Sequence, residues 1–345
     1  MTMSAVTELA DGESAEWDEF VRADPRGMPF HGHAWKQVVE ASYGHRGHYL
    51  ICRNGGDIDA VLPLFHIHSA LGSALVALPY AGTQPSLLAR DEDAARQLCD
   101  AAIALGQKLK VGHVELREID PLPFGWETRQ SYVNIQLPLD SDLDQVWKGV
   151  ESRVRTKVRA AERRGLSVEW AGAERLDEFF HVYADTMHRL GSPPHKIGLF
   201  QAIFDAYPEG VELALVTDGA QTVAGGFVMH DHRWFGFPWA GSLTEAMRNH
   251  PNNLLYWALI ERASKAGYKA LDLGRSPVDS GTARFKVQWG GTARPLHYSY
   301  ALVKASEIPQ RDASDPLMQT ASKIWRRLPV GLANRLGPSL ARLIP

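Results

Sequence analysis

Cysteine is scarce in this 345-residue chain: there are two, Cys52 and Cys99, far apart and with no companion at metal-ligand spacing. That excludes a disulfide-stapled scaffold and a cysteine-based zinc site. Long apolar runs are also missing. No stretch approaches the ~18 residues that mark a membrane-spanning helix. The acidic opening, MTMSAVTELADGESAEWDEF, lacks the apolar centre of a secretory signal. These absences predict a reducing, cytoplasmic setting in which both cysteines serve as small apolar residues. Positive charge is not in excess either. Lys and Arg number 37 against 40 Asp and Glu, for a net charge of −3, so any nucleic-acid contact requires a local basic patch.

What is present is ordinary globular chemistry, at 45% hydrophobic and 22% charged residues, in a length that suits two cores. Two helical patterns cover residues 13–24 and 32–44. Three strand-like runs follow, HYLICR, AVLPLFHIH and SALVALPYAG, with Gly55-Gly56 as the turn between the first two. In the helix at 91–110, Ala94, Leu98, Ala101, Ala102 and Leu105 recur at helical spacing. Strands HVELREI and YVNIQLPL complete the half. The second half repeats the order: strand LSVEWA, two helices, three strands, the helix NNLLYWALIERASKAG, strand KALDLG and a closing strand PLHYSYALV. This reads as duplicated architecture.

Tight turns between successive strands imply antiparallel pairing, and a strand–helix–strand step implies a parallel crossover. The expected class is α/β (α+β): two tandem modules, each a mixed, mostly antiparallel sheet flanked by helices. The predicted boundaries are an N-terminal module at 1–145, a C-terminal module carrying the chemistry at 146–308, and a basic amphipathic tail at 309–345.

Chemistry-bearing residues are densest in DLGRSPVDSGTARFKVQWGG, residues 272–291. Asp272, Gly274, Arg275 and Ser276 close a strand, Gly281-Thr282 reads as a turn, and Phe285-Lys286 and Trp289-Gly290 follow. A lysine beside an aromatic residue can direct a cation into a semi-enclosed pocket; it can equally be a solvated lysine beside a core phenylalanine. The basic helix VESRVRTKVRAAERRG places Arg155, Arg159 and Arg163 on one face. That face is read either as a phosphate site or as a solvated surface paired with Glu151 and Glu162. The His-x-His pairs at 31/33, 66/68 and 230/232 lack a third ligand, so no metal site is expected. The aromatic residues Trp234, Phe235, Phe237 and Trp239 read as sheet core, with a pocket wall as the other reading.

The tail, KIWRRLPVGLANRLGPSLARLIP, interleaves Ile324, Trp325, Leu328, Leu332, Leu336, Leu340 and Leu343 with Arg326, Arg327, Arg335 and Arg342. This is the pattern of a helix lying on an anionic membrane, or of one docked on the protein's own core or on a dimer partner. Pro329 and Pro338 are expected to break it into short helices.

The 272–291 string resembles the terminal motif of FemAB-like proteins: Asp-x-Gly-Arg-Ser, then Gly-Thr, then Phe-Lys-x-x-Trp-Gly. Further matches are Arg189 to Pro194, Asn253 with Tyr256-Trp257, Arg155 and Arg159 before Gly165, His33 with Trp35, Pro63-Leu64, and the Pro79-to-Gly82 turn. The resemblance spans about residues 28–302. It is close to the subset found beside exopolysaccharide and PEP-CTERM protein-sorting genes. The element order is likewise that of the GNAT fold.

This resemblance implies acyl or aminoacyl transfer from an activated carrier to an amine of a cell-envelope, exopolysaccharide or peptidoglycan-type precursor. It implies Lys286 as the catalytic cation, and Arg155, Arg159, Arg189, Asn253, Tyr256, Arg275, Ser276, Phe285 and Trp289 as substrate-binding residues. No tightly bound cofactor is expected. The co-substrate is acyl-CoA or aminoacyl-tRNA, which makes a tRNA acceptor end an expected partner. The Gln/Arg-x-x-Gly-x-Gly/Ala loop that cradles a CoA pyrophosphate is absent from AGSLTEAMRNHPNN, ahead of the long helix, and from AGTQPSLLARDEDA in the first half. A second reading is a catalytically silent two-module protein that recruits an envelope precursor to a membrane assembly. The chain is expected in the cytoplasm, and at the inner face of the membrane if the tail is the element that binds lipid.

Overall fold

The computed structural model describes residues 5–69, 72–81, 85–309 and 315–343. Gly82 of the expected Pro79-to-Gly82 turn, part of the first-half loop AGTQPSLLARDEDA, and residues 310–314 of the tail lie outside the described residues. The first half runs β1 (Ala5–Glu8), α1 (Ser14–Ala23), α2 (His33–Tyr43), β2 (Arg46–Asn54), β3 (Asp57–Ser69), β4 (Gly72–Ala77), β5 (Leu88–Ala89), α3 (Glu92–Leu109), β6 (His113–Glu118) and β7 (Glu127–Pro138). The second runs α4 (Leu143–Gly149), α5 (Ser152–Arg163), β8 (Leu166–Ala171), α6 (Leu176–Leu190), α7 (Ile197–Ala206), β9 (Val211–Asp218), β10 (Gln221–His230), β11 (Phe235–Ser242), α8 (Pro251–Lys265), β12 (Ala270–Pro277), α9 (Gly281–Val287) and β13 (Thr292–Leu302). α10 (Pro316–Trp325) and α11 (Val330–Ala341) follow.

The duplicated order is present, and β1 makes it fuller than the sequence pattern showed. β1 pairs with β2 as β8 pairs with β9, both antiparallel. The chain divides into two compact units. One comprises Met1–Ser131, Pro295–Gln310 and Leu343–Pro345; the other comprises Tyr132–Arg294 and Arg311–Arg342.

In the first unit β1, β2, β3 and β4 pair antiparallel in sequence. Gly55 and Gly56, both at positive φ, make the two-residue turn that fixes Asn54 opposite Asp57. The crossover through α3 then sets β6 parallel to β4. The Asp91 side chain caps α3 by accepting from the Ala94 N–H at 2.8 Å. Ala94, Leu98, Cys99 and Ala102 bury one face of that helix against Leu62, Leu64, Leu75 and Val114. Trp17 of α1 packs on Tyr49 at 4.7 Å, and Tyr49 meets Phe65 edge-on.

In the second unit β8, β9, β10 and β11 are antiparallel neighbours, and α8 carries the chain over to β12, parallel to β11. Gly225 and Gly226 of β10 show how closely helices cover both faces. A Cβ on Gly225 would meet Phe179 of α6 at 3.2 Å, and one on Gly226 would meet Leu255 of α8 at 3.6 Å. At Gly241 of β11 a Cβ would lie 2.4 Å from the Val182 carbonyl, so α6 sits there on bare backbone.

The closing strands are exchanged relative to the sequence reading. Residues 132–138 of β7, read with the first half, pair antiparallel with β12, from Ala270↔Pro138 to Pro277↔Tyr132. Residues 297–302 of β13, read with the second half, pair antiparallel with β6, from His297↔Glu118 to Leu302↔His113. Alternation in a strand encodes which side chains face inward and not which edge the strand joins, so the sequence order alone assigned both to the wrong half.

Candidate active site

β11 and β12 share one bridge pair, Gly236↔Asp272, and part beyond it. Ligands of parallel strands collect where neighbouring strands separate at their carboxyl ends. On β12 the parting coincides with a bulge against β7, between Asp272 and Arg275. Gly274 within the bulge has φ +72°, a conformation that strains any residue with a Cβ. The bulge presents the Gly274 and Arg275 carbonyls to the Lys286 ammonium, which donates to them at 3.1 and 2.9 Å. An ammonium has three donors, so one N–H remains for a ligand.

Lys286 is carried by α9, a segment the sequence pattern suggested as a turn at Gly281-Thr282. Ser280 makes it a helix instead: its Oγ accepts from the Ala283 N–H at 3.1 Å. Trp289, 1% exposed, anchors the far end. Tyr256 of α8 stacks on Trp289 at 5.7 Å and meets Phe285 edge-on at 4.9 Å. Tyr256 also packs on Phe237 of β11, with ring centres 4.9 Å apart. Tyr256, Phe285 and Trp289 are therefore packed rings that fix α9, and through it the lysine.

Burial pushes the Lys286 ammonium down to about 8; Asp272 opposes that fall and Arg275 adds to it. Asp272 is buried and its carboxyl is raised by desolvation. It accepts from the Gly274 N–H at 2.7 Å and from the Trp234 Nε1–H at 3.1 Å, and is also bonded by the Asn134 side chain. In the same unit, Ser276 Oγ, Asn134 Oδ1, Trp289 Nε1 and, on α8, Asn253 Nδ2 are buried without a hydrogen-bond partner among the described residues. Buried polar atoms are normally bonded, so these four have hydrogen-bonding capacity to offer.

Arg275 lies over the Tyr132 ring at 5.2 Å. Its charge reaches His195, whose imidazole burial has pushed down to about 4. The His195 ring meets Trp239 of β11 edge-on at 6.2 Å, and the His195 backbone N–H donates to the Tyr183 hydroxyl at 3.4 Å. Asn134 and His195 carry no spacing signal in the sequence; they join the site through strand pairing and loop packing.

The remaining sequence-predicted residues lie on other elements. Arg155 and Arg159 of α5 gather about Trp147. Arg155 donates to its carbonyl at 3.5 Å, Arg159 sits over its ring at 5.5 Å, and Trp147 packs on Trp257 of α8 at 4.3 Å. Arg189, at the end of α6, donates to Thr186 Oγ1 at 3.3 Å and keeps a buried, unpartnered Nε. α8 begins with Pro251, which has no N–H, and the Asn253 and Leu254 N–H groups turn back to the His250 carbonyl. The start of α8 is thus a poor anion cradle, in keeping with the missing glycine-rich loop.

Both cysteines are buried, and burial drives the Cys99 thiol up to about 12. Of the paired histidines, His31 bonds the Pro85 carbonyl and His66 the Ser73 hydroxyl. Among the described residues no three His, Cys, Asp or Glu side chains converge on a metal position.

The acetyltransferase (GNAT) domain family matches residues 149–287, which hold α5, β8 to β12 and α9. The chain is 37% identical over 81 residues to the lipid II:glycine glycyltransferase of Staphylococcus aureus. That match covers 23% of this chain and 19% of the enzyme's own length. In three dimensions the chain resembles FemX, with a TM-score of 0.67 at 16% identity over 87% of this chain and 98% of FemX. It also resembles a tandem GNAT protein from the clavulanic acid biosynthesis pathway, with a TM-score of 0.55 at 13% identity over 88% of this chain and all of that one. The chain thus carries a match to the acetyltransferase (GNAT) domain family over residues 149–287 and has the fold of FemX and of the tandem GNAT protein.

Proposed function

We propose that this protein transfers an acyl or aminoacyl group from an activated carrier to an amine on a cell-envelope precursor of the peptidoglycan or exopolysaccharide type. The observation that carries this reading is the Lys286 ammonium, held by two main-chain carbonyls where β11 and β12 part, with one N–H left to give. The acceptor amine attacks the carrier's carbonyl and a C–N bond forms. The carbonyl oxygen becomes an oxyanion, and a fixed cation stabilises that state more than the ground state. The intermediate then collapses, the bond to the carrier breaks, and the amine proton leaves with the carrier or to water. Both cysteines are buried and burial raises the Cys99 thiol, so in this reading the amine attacks directly, without a cysteine intermediate.

Ser276 and Asn134 offer buried polar atoms to the substrate, and the Arg155–Arg159 face suits the phosphates of a carrier or acceptor. The lipid II glycyltransferase match supports an envelope acceptor, and the GNAT domain supports an acyl donor used as co-substrate. A silent recruiting protein is less favoured, since it would have no use for a buried, partly desolvated ammonium.

The test offers the protein acyl-CoA or aminoacyl-tRNA together with lipid-linked and soluble precursor amines, and reads product masses. Acyl transfer that is lost in Lys286→Met is the expected result. Binding of a precursor without transfer from either donor class would instead establish the recruiting role.

A further inference from the structure

α10 and α11 present two unlike faces. The inner one docks within the second unit. Trp325 is buried, and so are Ala333, Gly337 and Ala341, which recur at every fourth position of α11. A Cβ on Gly337 would come within 2.5 Å of Pro194. His188 Nε2 donates to the Leu328 carbonyl at 2.9 Å, and Arg326 donates to the Leu190 carbonyl at 3.0 Å. Docking on the protein's own core is therefore accomplished by the small residues.

The outer face repeats the same spacing with large apolar residues. Leu332, Leu336 and Leu340 are 44%, 44% and 41% exposed, and Ile324 is 58% exposed. From residue 316 onward the sequence holds Lys323, Arg326, Arg327, Arg335 and Arg342 and no Asp or Glu, in a chain whose net charge is −3. Arg327 and Arg335 are exposed beside these leucines in sequence. A second copy of this face would bring like charges together. An anionic lipid surface instead takes both features at once: leucines enter the headgroup boundary while arginines meet lipid phosphates.

We propose that the outer face of α10 and α11 seats the protein on anionic membrane lipid. This rests on the tail alone and is independent of the transferase reading. The test is co-sedimentation of the full chain with phosphatidylcholine vesicles, with and without phosphatidylglycerol, at low and high salt. Binding is expected with the anionic lipid and is expected to weaken with salt. Arg327→Gln and Arg335→Gln are each expected to weaken partitioning about fivefold. The triple change Leu332→Ser, Leu336→Ser, Leu340→Ser is expected to weaken it at least about tenfold. Thermal melting confirms that each variant folds, and should the triple variant fail, the arginine pair carries the test. Equal binding to neutral vesicles, or variants that sediment like the parent, overturns the proposal. So does a dimer in light scattering that the leucine changes dissociate, since that would assign the face to a second copy.

Discussion

Lys286 titrates near 8 because its packed surroundings oppose the charge more than Asp272 supports it. The cation exists below that value and is lost above it. If the cation is what stabilises the oxyanion, kcat is expected to fall as pH rises through about 8. Asp272→Asn removes the supporting charge, so the same limb should move to lower pH. A pH–rate profile decides the matter, and activity that instead rises through pH 8 would make the neutral amine, a base, the active form. Lys286→Met should lower kcat by about 10²–10³, or roughly 3–4 kcal/mol, with KM little changed. Lys286→Arg should rescue poorly, since a planar fork does not fit between the Gly274 and Arg275 carbonyls as an ammonium does. The lysine was legible in the sequence through its Phe-Lys-x-x-Trp-Gly setting. Asn134 was not, because it reaches the site through an antiparallel register with β12 that no local pattern encodes.

Among the elements, α5 offers the clearest test of binding without chemistry. Its Arg155 and Arg159 are organised by Trp147 and take no part in the Lys286 hydrogen bonds. Arg155→Ala with Arg159→Ala should raise KM for a phosphate-bearing substrate severalfold and leave kcat nearly unchanged; steady-state kinetics that show no KM change would return this face to solvent. Helices with amphipathic periodicity, such as α3 and α6, could be read directly, whereas α9 could not. Its seven residues are too few for periodicity, and it depends on the Ser280 cap and the Trp289 anchor. Pro338 misled in the other direction. It sits inside α11 rather than ending it. The residue before a proline resists helical geometry largely through its Cβ, and here that residue is Gly337, which also docks against Pro194.

At the scale of the whole molecule, the duplicated order of elements was legible and the exchange of closing strands was not. The exchange has a measurable consequence: a fragment of residues 1–145 contains β6 and its partner β4 but lacks β13, which pairs with the other edge of β6. It is expected to lack a cooperative thermal transition and to be cleaved rapidly by protease, and a peptide spanning residues 292–309 should protect it. A fragment that melts cooperatively at the temperature of the full chain would contradict this. The same pairing governs how the protein is made. β7 and β12, which pair in the second unit, have both been synthesised by residue 277, whereas β6 waits for residues 297–302. On the ribosome, then, the unit begun first is completed after the other's strands are made, and its β6 edge stays open until residues 297–302 have emerged.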